Sequence, residues 1–284
     1  MRRCRARYLV TFLALTSLSL VTHHVRGEVP EAGAGMLGID VRAELAEAQA
    51  QFDRAQQLQQ TNPDQARQLF RAAAQRFELI AESGVRNARL EFNIGNSHLQ
   101  AGDVGRAILH YLRARRLQPG DEALHANLAE AESRRIATIR PTRGDALLRN
   151  VFFWHYDTAP AVRWRVAVAA WLLLWILLTI RIRWPRRQMG IAALVCLVVA
   201  VACGASVAVQ RWTEERHPPG VITAMDVPVF KGPGASYQRQ FEQPLQPGVT
   251  FALEERRGTW WEIRLPDGKS GWVESDQAEL VVPS

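Results

Sequence analysis

The sequence predicts a multi-domain membrane protein made of an all-α helical stack, a two-helix transmembrane hairpin and a small all-β domain. Three observations carry this. Gln188 to Gln210 is 23 residues without a charge, enough to cross roughly 30 Å of hydrocarbon at about 1.5 Å per residue. Val41 to Ile139 is helical text, rich in Ala, Gln, Glu, Arg and Leu, with an internal period. After Gly220 the text changes to short β runs broken by Gly, Pro and Asp. The net charge of +7 does not point to nucleic acid, because five arginines (Arg2, Arg3, Arg5, Arg7, Arg26) lie in one N-terminal segment and a nucleic-acid binder clusters its charge on the folded domain.

That segment reads as a signal peptide over residues 1–27. Met1 to Tyr8 holds four arginines and Leu9 to Val21 is apolar, the charged and hydrophobic regions of an export signal. Cleavage is placed before Glu28, with a second candidate after Ala32-Gly33-Ala34 and an uncleaved anchor helix as the alternative.

The helical segment, 41–139, shows its punctuation. Asn62-Pro63-Asp64 is an N-cap followed by proline at the first helical position. Gly102-Asp103 and Pro119-Gly120-Asp121 each end one helix and cap the next. Asn93-Ile94-Gly95 recurs as Asn127-Leu128-Ala129, 34 residues on. With Gly95, Ala107, Tyr111, Ala114 and Pro119, the stretch Ala88 to Asp121 resembles one tetratricopeptide repeat. Phe52, Ala55, Ala66, Phe70 and Ala73 resemble a degenerate repeat upstream, and Glu122 to Ile139 a capping helix downstream. The resemblance implies a groove for a peptide, with Arg89, Asn93, Asn96 and Asn127 at groove positions. The same residues could instead cap or bridge neighbouring helices.

Residues 145–160 are aromatic and apolar with few charges. They read as an amphipathic helix at the outer membrane interface, or as a segment packed on the repeats. The first span is placed at 164–182 and the second at 188–210, with Arg165 and Arg181 reaching to the interfaces. Arg181, Arg183, Arg186 and Arg187 crowd the connection, an excess typical of cytoplasmic loops. Both large soluble segments then face outward from the membrane.

In the β segment, strands are expected at Val221–Ala224, Val227–Phe230, Thr250–Glu255, Trp260–Leu265 and Gly271–Ser275. Gly232-Pro233-Gly234, Gly258-Thr-Trp260-Trp261 and Asp267-Gly268-Lys-Ser-Gly271-Trp272 fall in an order that resembles the bacterial SH3-like barrel across residues 220–284. Such domains bind peptides or cell-wall glycopeptides, which implies a ligand surface at Tyr237, Trp260, Trp261 and Trp272. Side chains alternate along a strand, so one of Trp260 and Trp261 should face the core and the other should not.

No catalytic, metal or cofactor motif is present; H-E-x-x-H, G-x-S-x-G and G-x-x-x-x-G-K-[ST] are all missing. Cys196 and Cys203 read as packing residues in a membrane helix. His98, His110 and His125 read as helix-surface or groove residues. The whole order of modules resembles the BatE family of the Bacteroides-aerotolerance (Bat) clusters. This implies a non-enzymatic membrane scaffold working beside von Willebrand-type Bat proteins and a MoxR-like AAA+ ATPase, in contact with membrane lipid but not nucleic acid. Two alternatives stay open: a cell-wall tether whose SH3-like domain grips peptidoglycan, and a helper that holds secreted clients.

Overall fold

The computed structural model describes residues 40–135, 158 and 160–282. The expected signal peptide lies outside them, as does nearly all of the expected interfacial segment. The described chain forms two compact units: an apolar helical pair up to Trp212, and a second unit made of the N-terminal helices together with the chain from Thr213 onward.

Among the described residues, five helices build the N-terminal part of the second unit: α1 (Val41–Leu58), α2 (Pro63–Glu82), α3 (Ala88–Ala101), α4 (Val104–Leu117) and α5 (Glu122–Ser133). Successive helices pack on one another, and the caps expected from the sequence form. Asn62 accepts from the Gln65 amide with Pro63 in the first turn, Asp103 accepts from Arg106, and Asp121 from Leu124. Each such cap contributes roughly 1 kcal/mol by satisfying an amide with no partner in its helix. Gly102 ends α3 in the left-handed conformation at φ 88°, where a side chain would be strained. The interior is small and aromatic by turns. Phe52 meets Phe70 edge-on at 5.2 Å, and Gly95 lets the Tyr111 ring approach so closely that a Cβ there would stand 2.7 Å from it.

The β domain is one antiparallel sheet in the order β4-β3-β2-β1-β5, with β1 at Pro219–Ile222, β2 at Thr250–Arg257, β3 at Trp260–Arg264, β4 at Ser270–Glu274 and β5 at Ala278–Leu280. Ile222, Val227, Val229, Phe251, Leu253, Ile263 and Val273 form its core. One strand expectation is corrected, and one strand forms where none was expected. Val227–Phe230 makes only isolated bridges, to Leu245, Arg239 and Trp272; Pro228, lacking an N–H, interrupts any continuous ladder there. The final strand β5 was not expected, being only three residues long.

The β domain does not stand apart from the helices. Val221 and Val281 are buried in the same apolar cluster as Ile108, Leu109, Tyr111 and Leu128. Two glycines allow the approach: a Cβ on Gly105 would lie 3.0 Å from the Ile222 carbonyl oxygen, and one on Gly248 would lie 2.8 Å from Ile108. Arg113 donates to the Leu280 carbonyl at 2.8 Å, and Arg135 to that of Gly248 at 3.3 Å.

The remaining helices, α6 (Pro160–Arg183) and α7 (Arg187–Arg216), are both long and apolar enough to cross a membrane. Mean hydropathy reaches 1.9 and 2.7 in their most apolar stretches. Both helices outrun the expected spans. Arg163, near the start of α6, is buried and donates to the Ser206 hydroxyl and the Gln210 side-chain carbonyl of α7. In an apolar setting those bonds offset much of the cost of taking a guanidinium out of water.

Candidate functional site

The four expected groove residues divide. Arg89 is exposed on the first turn of α3, and Asn93 one turn further is half-buried. Asn96 and Asn127 bond to each other instead of standing clear. The Asn96 side-chain oxygen accepts from Asn127 Nδ2 at 2.8 Å and from the Tyr111 hydroxyl at 2.7 Å. These two asparagines therefore bridge α3 and α5, while Arg89 and Asn93 lie at the more accessible end of the helix.

On the β domain, two of the four expected residues, Trp260 and Trp272, lie on one face. Strand register puts Arg257 opposite Trp260, and Glu262 opposite Trp272, so these four share one face. Phe230 meets Trp260 edge-on at 5.6 Å, and the Arg257 guanidinium sits 5.2 Å from the Trp272 ring. Trp272 is 6% exposed beneath this layer, whereas Tyr237 is about half exposed. The Tyr237 ring lies over Gly232, where a Cβ would come within 2.5 Å of it. Trp261 turns the other way and packs against the core, as alternation requires. Arg181, Arg183, Arg186 and Arg187 are all exposed around the α6–α7 connection.

A further cluster escaped the sequence reading. His98 and His110 are not surface residues: they are 5% and 4% exposed, stacked with ring centroids 5.7 Å apart. Glu78 Oε1 stands 2.8 Å from His98 Nε2 and 3.7 Å from His110 Nε2. Behind the rings, His110 Nδ1 bonds Glu91 at 2.8 Å, and His98 Nδ1 faces Asp103 at 3.6 Å. Burial alone would raise the Glu78 carboxyl, but the hydrogen bonds from His110 and His98 outweigh it and hold it far below the usual carboxylate range. Burial likewise works against a charged His110, yet its bonds to Glu78 and Glu91 leave it above its ordinary value. The donors come from three helices at spacings of 20 and 12 residues, so no short motif announces them.

Comparison with protein-family models, with curated proteins and with solved structures finds no match for this chain. The functional reading therefore rests on the residues.

Proposed function

We propose that the chain is a non-enzymatic membrane adaptor that displays a single composite binding body on the outer face of the bacterial inner membrane. The observation that carries this reading is the shared apolar cluster joining α4 to β1 and the chain after β5. Two modules that only had to be tethered would not bury Val221 and Val281 in one cluster with Ile108, nor bring Gly105 so close to the Ile222 carbonyl that a Cβ there would stand 3.0 Å from it. The exposed Arg89 end of the helical stack and the aromatic face around Tyr237 and Trp260 are then two surfaces of one body. Only His217 and Pro218 separate α7 from β1 in the chain.

On this reading the helical stack is a tetratricopeptide domain, the β domain is an SH3-like module, and the arginine-rich connection lies in the cytoplasm. The resemblance to BatE makes von Willebrand-type Bat proteins and a MoxR-like ATPase the first partners to seek, in an envelope-stress or aerotolerance complex. In-cell crosslinking, detergent extraction and pull-down of the tagged full-length chain tests the assignment. Recovery of such proteins, reduced by the pair Arg89→Ala and Asn93→Ala, supports the adaptor. Recovery of wall enzymes with glycan, lost on Tyr237→Ala, would replace it with the peptidoglycan tether.

A further inference from the structure

Three consecutive helices each send one donor side chain to a single point: Glu78 from α2, His98 from α3 and His110 from α4, with donor atoms all within 4.8 Å of one another. In a tetrahedral zinc site with bonds near 2.0–2.2 Å, donors stand about 3.3 Å apart. The observed separations of 2.8 and 3.7 Å from Glu78 Oε1 to the two Nε2 atoms straddle that value. Small side-chain rotations would make room for an ion.

The surroundings match a ligand shell as well. An imidazole ligand usually has its other nitrogen held by a carboxylate or carbonyl, which fixes the tautomer and aims the free nitrogen. Here Glu91 holds His110 Nδ1 and Asp103 faces His98 Nδ1, so both rings present Nε2 to Glu78. The two imidazole side chains are 5–6% exposed and the Glu78 side chain 24%, so solvent reaches the point from the Glu78 side. That leaves a path for entry, and water would supply the fourth ligand. Two nitrogens and one carboxylate oxygen suit a first-row transition ion, whereas calcium and magnesium demand oxygen.

We propose that Glu78, His98 and His110 bind one divalent transition-metal ion, zinc in the first instance, that clips α2, α3 and α4 together. The site is independent of the adaptor reading.

The test uses the full-length chain in detergent, carrying a histidine-free tag and stripped with EDTA. Zinc chloride is titrated by calorimetry, and melting is followed with and without the ion. The expected result is one zinc per chain with a raised melting temperature. Cobalt substitution should give the visible absorption of a four-coordinate site. Glu78→Gln and His110→Gln should weaken zinc binding at least tenfold, and Glu91→Gln about tenfold through loss of the group that orients His110. Glu78→Gln and Glu91→Gln preserve side-chain shape, and circular dichroism in EDTA confirms that the helices persist. No zinc-dependent shift in the wild type would overturn the proposal. So would unchanged affinity in Glu78→Gln and His110→Gln, which would place the ion elsewhere.

Discussion

Tyr111 is fully buried although its side chain ends in a hydroxyl, and the Asn96–Asn127 pair is what makes that burial tolerable. The hydroxyl donates to Asn96 at 2.7 Å, while one face of the ring closes on the bare Cα of Gly95. Gly95→Ala should destabilise the chain by about 1–3 kcal/mol, because the added methyl overpacks a filled site. Tyr111→Phe should cost about 1 kcal/mol, the net worth of one hydrogen bond. Denaturant unfolding of the full-length chain in detergent reads both. Gly95 and Tyr111 stand out in the sequence through their resemblance to positions of a tetratricopeptide repeat. The bond to Asn96 was not, because an asparagine that bridges helices and one that reads a peptide look the same in a sequence.

The Glu78–His cluster carries a pH prediction for the metal-free chain in EDTA. Glu78 ionises more readily folded than unfolded, so its contribution is complete above the ordinary carboxylate value of 4.5 and is lost as the pH falls through its lowered folded value. His110 has the opposite sign. Its contribution is complete below the ordinary imidazole value of 6.5 and is lost as the pH rises through its raised folded value, with Arg113 opposing the effect and Glu91 supporting it. Stability should therefore be greatest between about 4.5 and 6.5, and Glu91→Gln should flatten the alkaline fall. Melting temperatures measured from well below pH 4.5 to well above pH 6.5 decide the matter, and an unchanged alkaline fall in Glu91→Gln would contradict the assignment to His110.

At the scale of elements, helices were far more legible than strands. Asn62-Pro63, Gly102-Asp103 and Asp121 carry their capping chemistry within three residues, so the helix boundaries they mark fall where that chemistry places them. The strand expected at Val227–Phe230 failed because Pro228 removes a ladder donor in a run whose hydrophobic pattern otherwise fits. β5 is too short to show alternation. In the apolar pair, hydropathy marked both helices, but the burial of Arg163 against Ser206 and Gln210 depends on a pairing between helices that no local window contains. The proposed topology is tested by cysteine labelling, with Cys4, Cys196 and Cys203 first replaced by alanine. A cysteine at Ser236 should react with an impermeant maleimide from outside the inner membrane, and one at Pro185 only after permeabilisation. The reverse pattern would invert the proposed orientation.

At the scale of the whole molecule, the sequence shows each module by its own period but not their union. Gly105 and Gly248 are 143 positions apart, and each reads alone as an ordinary turn or small-residue position. Only the fold reveals that α4 and the β domain meet at both, Gly105 through its lack of a side chain and Gly248 in a left-handed turn at φ 87°. Arg113 is similar: on the helix it looks like a solvated charge, yet it caps the Leu280 carbonyl across the interface. Gly105→Trp cannot be accommodated without separating α4 from β1, and the released β domain should become sensitive to protease around His217-Pro218 while the helices stay folded.

That variant gives the most direct test of the composite body. Full-length wild-type and Gly105→Trp chains would be expressed at equal level, crosslinked in cells, extracted, and compared for recovery of the same envelope partner. If α4 and the β domain act as one body, recovery should fall at least about tenfold in the variant, with membrane insertion unchanged. Undiminished recovery, alongside protease cleavage showing that the β domain has come away, would contradict the account.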